Sequence, residues 1–167
     1  INSGSRSWNC IASSSDGTKL AACSTASSIQ YIYTSSDSGT TWTRRDSAGA
    51  KNWQCIASSA DGTLLAATPY YSSSDYVYIS TNSGESWTQL TSSGPRQWVS
   101  VDLSDDGTKL VAAEYNGSVY TSSDSGSTWN EQTGSPSTGW NGRIVCSSDA
   151  TVVALATGVY VYISDDS

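Results

Sequence analysis

The chain contains no histidine, no phenylalanine and no methionine, only 3 prolines, and only 14% charged residues. Each shortage excludes something. Without histidine, the side chain that most often serves as general base and metal ligand is missing. The longest apolar runs fall far short of the roughly 20 residues that cross a bilayer as a helix, so membrane insertion by that route is not expected. Lys and Arg number 8 against 15 Asp and Glu, for a net charge of −7. Nucleic acid needs a basic stripe to displace its counterions, and an anionic membrane surface attracts the same feature. Neither partner is expected. The 4 cysteines show no metal-ligand spacing, so neither metal nor cofactor is expected.

What remains is distinctive. Trp (7) and Tyr (10) supply all the aromatic bulk, set among abundant Ser, Thr and Gly. Aromatic and β-branched residues fit pleated surfaces, while Ser and Gly favour turns. The chain therefore reads as all-β, in short strands joined by polar turns. Its 167 residues suffice for one unit with a real core.

Two signatures recur along the sequence. The first is a Trp, a short apolar strand, a Ser-Asp-Gly-Thr turn and a second apolar strand. It begins at Trp8 with Asp16-Gly17-Thr18, at Trp53 with Asp61-Gly62-Thr63, at Trp98 with Asp106-Gly107-Thr108, and at Trp140 with Asp149-Ala150-Thr151. The intervals between these tryptophans are 45, 45 and 42 residues. The second signature is Ser-x-Asp-x-Gly-x-Thr-Trp. It reads Ser35, Asp37, Gly39, Thr41, Trp42 in one copy and Ser122, Asp124, Gly126, Thr128, Trp129 in another. A relaxed copy has Ser80, Asn82, Gly84, Ser86 and Trp87, and a partial one runs from Ser164 through Asp166 to Ser167.

Each unit reads as four strands. In the first, strand A covers about 9–14, a tight two-residue turn falls at Asp16-Gly17, strand B covers about 18–23, strand C is the Tyr-rich 30–34, and strand D begins at Thr41-Trp42. Four short strands every ~40–45 residues is the spacing of propeller blades. A solenoid is the alternative.

The second signature resembles the Asp-box, or bacterial neuraminidase repeat, of sialidases, sortilin-type receptors, some xyloglucan-degrading enzymes and photosystem assembly factors. The resemblance covers nearly the whole chain. It implies a β-propeller of four-stranded antiparallel blades, with about four blades at 8–45, 53–90, 98–132 and 140–167 in one unit spanning 1–167, the last lacking its final strand. It also implies that the box lies on the outer rim, away from an axial binding site. The box residues are then structural: Asp37, Asn82, Asp124 and Asp166 accept backbone amides across a turn, as in Asx-turns. Gly39, Gly84 and Gly126 supply positive φ, and Trp42, Trp87 and Trp129 bury large rings. Because the sequence stops in mid-motif, a longer polypeptide with a ring of roughly six to eight blades is expected. Two paired arcs and a four-blade ring are the alternatives.

Sialidase chemistry needs an arginine cluster, a Tyr nucleophile with a Glu partner, and an acid/base Asp. The arginines are Arg6, Arg44, Arg45, Arg96 and Arg143, the glutamates Glu85, Glu114 and Glu131, and no Arg-Ile-Pro signature occurs. Arg6 and Arg96 fall at equivalent connector positions. Asp102 and Glu114 are the only acids on the A and B strands or their ends, and solvated rim positions are the alternative for both. No catalytic residue is assigned.

Cys10 and Cys23 flank Asp16-Gly17 symmetrically, which places them opposite each other across strands A and B. They are a candidate disulfide, with two buried thiols as the alternative. Cys55 repeats the position of Cys10 but faces Thr68. Asn116-Gly117-Ser118 is an N-glycosylation sequon and also a favoured type I′ turn pair. Tyr70 and Tyr71 are candidate ligand contacts, able to stack on a sugar or a protein partner, or to pack beneath their own loop. The expected function is a noncatalytic scaffold or binding module for a protein or glycan. The competing expectation is part of a secreted glycoside hydrolase, sialidase- or xyloglucanase-like, whose site is shared with other blades. The sequon, the Ser/Thr-rich surface and the low Lys content point to an extracellular or secretory setting.

Overall fold

The protein is described here by a computed structural model, which covers residues 5–25, 30–69, 74–135, 142–157 and 159–165. Among the described residues, fifteen strands form four antiparallel sheets. The first sheet contains β1 (Trp8–Ser13), β2 (Leu20–Ser24), β3 (Ile32–Ser35) and β4 (Thr43–Arg45), paired in chain order. The second repeats this with β5 (Trp53–Ser58), β6 (Leu65–Pro69), β7 (Val77–Ser80) and β8 (Thr88–Leu90). The third contains β9 (Trp98–Leu103), β10 (Leu110–Glu114), β11 (Val119–Ser122) and β12 (Asn130–Gln132). The fourth contains β13 (Ile144–Cys146), β14 (Val153–Ala156) and β15 (Val161–Ser164). Single 3-10 turns at Asp46–Ala48 and Thr91–Ser93 join consecutive sheets, and among the described residues no helix is long and apolar enough to cross a membrane.

Each sheet is a blade that packs face to face on the next, with β1 on β5, β5 on β9 and β9 on β13. The core lies between blades because their strands are apolar on both faces. Trp53, Trp98, Ile32, Val77 and Leu110 are fully buried there. Backbone bonds link the turns that follow the inner strands: Ser15 N–H to Ala60 O, Ala60 N–H to Asp105 O, and Asp105 N–H to Ser148 O. The repeat thus continues through hydrogen bonds as well as packing.

Cys10 pairs with Cys23 and Ser13 with Leu20, the register expected from the sequence. The connection differs. Ser14 N–H donates to Lys19 O and Gly17 N–H to Ser14 O, so the loop spans Ser15 to Thr18. A four-residue loop and a two-residue turn centred on the same bond give the same register, which is why the pairing survives the change of turn. At the sequon, Asn116 has φ +50° while Gly117 does not take positive φ, so the type I′ pair does not form.

The two end blades leave apolar faces open. Ile11 is 63% exposed, whereas its repeat equivalents Ile56 and Val101 are 3% and 2% exposed. On the fourth blade, Val145, Val161 and Ile163 are likewise exposed.

Candidate functional site

The three complete Ser-x-Asp/Asn-x-Gly turns share one geometry. Asp37 Oδ1 accepts the Ser35 hydroxyl at 2.7 Å and the Thr41 amide at 2.8 Å, and Asp37 Oδ2 accepts the Thr41 hydroxyl at 2.6 Å. Asp124 does the same with Ser122 and Thr128. Asn82 Oδ1 accepts from Ser80 and from the Ser86 amide, while its Nδ2 donates to Ser86 Oγ at 2.8 Å. The leading serine accepts a glycine amide in return, Gly39 to Ser35 at 2.9 Å, and Trp42 Nε1 donates to Gly39 O at 3.1 Å. Gly39, Gly84 and Gly126 have φ near +85°. Ser38, Ser83 and Ser125 also take positive φ, at 56° each, which no residue type announced. Asp166 lies outside the described residues.

The carboxylates are held low by this network. The hydroxyl of Thr41 and then its amide bring Asp37 to about 2, and Thr128 does the same for Asp124. Ser14 leads for Asp16, Thr63 for Asp61 and Ser147 for Asp149, each also reaching about 2. These groups stay ionised and already hydrogen-bonded, a poor starting point for a general acid.

Behind each turn stands a stack of rings. Trp8, Trp53 and Trp98 meet Tyr33, Tyr78 and Tyr120 edge to face, with centroids 5.4, 5.2 and 5.3 Å apart. Each also tilts against its box tryptophan, Trp42, Trp87 or Trp129. A cation covers each tyrosine: Arg6 at 4.4 Å, Lys51 at 5.3 Å and Arg96 at 4.3 Å from the ring centre. Arg6 and Arg96 thus share a role, and Lys51 is its third holder, a member the sequence reading missed. The 45-residue spacing was the signal, masked by the change from Arg to Lys. Lys51 also pairs with Asp75 at 2.8 Å, and Arg96 with Glu114 at 3.6 Å.

The inner strands carry a different constellation. One position per blade bonds to the next: Ile56 N–H donates to Cys10 Sγ at 3.4 Å, Cys55 Sγ donates to Val101 O at 3.5 Å, and Ile144 N–H donates to Ser100 Oγ at 3.1 Å. Arg143 continues this series on the fourth blade and reaches across it. Its Nη1 lies 2.7 Å from Cys10 Sγ and 3.9 Å from Cys55 Sγ, and its Nη2 donates to Asn9 O at 3.2 Å. Asn9 Nδ2 also donates to Gln54 O on the second blade. Asn9, Cys10 and Arg143, with Trp8, Ile11 and Trp42, border a cleft of about 580 Å³ on the open face of the first blade. Apolar and aromatic walls with a few polar groups suit a side chain or ring better than an ion. All four cysteines are free thiols, including the facing Cys10 and Cys23.

The two acids singled out from the sequence are engaged elsewhere. Asp102 Oδ2 accepts the Cys146 amide at 2.8 Å, tying the third blade to the fourth, and burial raises its pKa. Burial also raises Glu114, with Arg96 opposing. They are on opposite ends of the β9–β10 pair rather than facing a common space: Asp102 pairs with Val111, and Glu114 with Trp98. Among the described residues, no three of Cys, Asp and Glu are grouped to hold a metal ion. Asn116 is exposed on its turn. Tyr70, Tyr71 and Trp140 lie outside the described residues.

No protein-family model and no curated protein matches the chain. Solved structures do. A GH74 enzyme of Niastella koreensis is similar over 99% of this chain and 24% of its own, with a TM-score of 0.75 and 22% identity. YCF48 bound to D1 peptide is similar over 97% of this chain and 56% of its own, with a TM-score of 0.65 and 14% identity. A chain of a nidogen/laminin complex is similar over 93% of this chain and 64% of its own, with a TM-score of 0.67 and 11% identity. The chain therefore spans about a quarter of the length of that GH74 enzyme. At such identities the likeness concerns architecture alone, and it agrees with the stacked antiparallel sheets: this chain is built of β-propeller blades.

Proposed function

We propose that the chain is a noncatalytic Asp-box propeller module that binds a protein or a glycan. One observation carries this reading: among the described residues, the motif carboxylates are hydrogen-bonded within their own turns, with none left directed at a substrate. The recurring ring stacks have the same architectural character. What varies from blade to blade is the connection between the second and third strands, where a rigid scaffold displays recognition residues. The peptide-bound YCF48 structure and the nidogen/laminin complex support a protein partner. The open apolar faces around Ile11 and Ile163 support an arc of a larger ring, of roughly six to eight blades. The exposed sequon at Asn116 supports a secretory or extracellular setting, with a glycan on that turn.

A glycoside hydrolase with a site shared among blades is the competing reading, favoured by the likeness to GH74 enzymes. The test uses the purified chain against a glycan array and a displayed peptide library, with a reducing-sugar assay on xyloglucan alongside. Saturable binding without sugar release supports the module, and loss of glycan binding in Tyr70→Ala or Tyr71→Ala assigns those rings. Sugar release that is abolished by Asp102→Asn overturns it, as does the absence of any binding.

A further inference from the structure

The cluster around Cys10 has no part in the scaffold reading. Cys10 and Cys55 occupy the same repeat position on adjacent inner strands, and their sulfurs are 3.9 Å apart. Two donors converge on Cys10: the Arg143 guanidinium at 2.7 Å and the Ile56 amide at 3.4 Å. A guanidinium at that distance favours thiolate over thiol. Cys10 is accordingly held far below the usual thiol range, by hydrogen bonding from Cys23 and Cys55 first, with Ile56 and Arg143 adding to it against burial. Cys55 and Cys23 are pushed up, by hydrogen bonding to Cys10 first and then by burial. Cys10 is 6% exposed and lines the 580 Å³ cleft, the side from which a small reagent approaches it. Cys23 is wholly buried.

We propose that Cys10 is an arginine-activated nucleophile which a peroxide oxidises and Cys55 resolves, leaving a disulfide that staples the first blade to the second. With hydrogen peroxide, the Cys10 thiolate attacks one oxygen and the O–O bond breaks. The departing hydroxide takes a proton and leaves as water, and Cys10 becomes a sulfenic acid. The Cys55 sulfur then attacks the Cys10 sulfur as its own proton is lost. The S–O bond breaks, and hydroxide leaves with that proton as a second water. Two thiols lose two electrons and two protons, and one peroxide becomes two waters. Cys55 is the resolving partner because its sulfur already lies 3.9 Å from that of Cys10, beside the Ser100 hydroxyl at 3.6 Å. Closing from 3.9 Å to the ~2.05 Å of an S–S bond needs side-chain rotation and a small approach of two strands.

Tryptic cleavage separates the candidates, placing Cys10 in peptide 7–19, Cys23 in 20–44 and Cys55 in 52–96. The experiment treats the full chain with hydrogen peroxide, blocks residual thiols, and maps linked peptides without reduction. The expected product joins 7–19 to 52–96, persists in Cys23→Ser, and is lost in Cys55→Ser, where a dimedone adduct on Cys10 replaces it. Arg143→Ala is expected to slow oxidation of Cys10 about tenfold, with Arg143→Lys intermediate, as thiolate activation requires. Tryptophan fluorescence checks that each variant is folded, and thermal scans should show a higher Tm for the oxidised wild type. A link between 7–19 and 20–44, an unreacted Cys10, or an unchanged rate in folded Arg143→Ala would overturn the proposal.

Discussion

Thr41 closes on Asp37 twice, its amide at 2.8 Å from Oδ1 and its hydroxyl at 2.6 Å from Oδ2, so one carboxylate accepts both donors of the residue that ends the turn. The same clasp joins Thr128 to Asp124. Because these bonds are made to the charged form, the folded-state pKa falls to about 2. An unfolded Asp titrates near ~3.9. A depressed carboxylate contributes stability that is present above its unfolded pKa and disappears as pH falls through the folded one. With Asp16, Asp61 and Asp149 shifted the same way, Tm is expected to hold level above about pH 5 and fall steeply between about pH 4 and 2. Calorimetric scans across that range check this, and a Tm that rises towards pH 2 would contradict it.

Asn82 occupies the same place in the second blade without a charge, and donates to Ser86 Oγ where Asp37 accepts from Thr41. In Asn82→Asp the Ser86 hydroxyl needs only to rotate to become the donor. The variant is expected to have a slightly higher Tm at pH 7 and no advantage at pH 2. Charge-assisted hydrogen bonds are the stronger kind, and only the ionised form makes them. Equal gains at both pH values would refute the charge argument.

Trp98 is almost completely buried and touches Tyr120 and Trp129, whereas Trp42 is half-buried at the rim. Trp98→Ala is expected to cost about 3–5 kcal/mol, the usual range for emptying an aromatic core site, and Trp42→Ala distinctly less. Denaturant midpoints measure the difference. Near-equal losses would show that burial is not what separates the two rings.

The turns after β1 and β5 offer a controlled pair. Gly17 has φ +72° and open space where a Cβ would go, while Gly62 has φ +67° and Lys19 Cβ within 2.8 Å of that point. Gly17→Ala carries only the left-handed backbone cost of about 1–2 kcal/mol. Gly62→Ala adds a collision between blades and is expected to lower Tm further. Chemical denaturation of both variants tests this. Equal effects would mean that the junction yields freely.

The propeller modules were legible in the sequence because their determinants are local. Ser35, Asp37, Gly39 and Thr41 lie within seven residues and bond to one another, so their order alone encodes the turn. The pairing of Cys10 with Cys23 followed from symmetry about Asp16-Gly17, even though the loop proved longer. Asp102 was visible as an unusual acid on an inner strand, but its bond to the Cys146 amide was not, since that depends on how two blades meet.

Sequence alone determined the repeat, its strand count per blade and the chemistry of its turns, because hydrogen bonds among near neighbours need no knowledge of the remaining chain. Only the tertiary structure decided that Arg143 stands 2.7 Å from Cys10, a contact between residues 133 positions apart. Repeat spacing places Cys10 and Cys55 on equivalent strands. It is the stacking of those strands around an axis that turns equivalence into contact and brings in a guanidinium from the fourth blade.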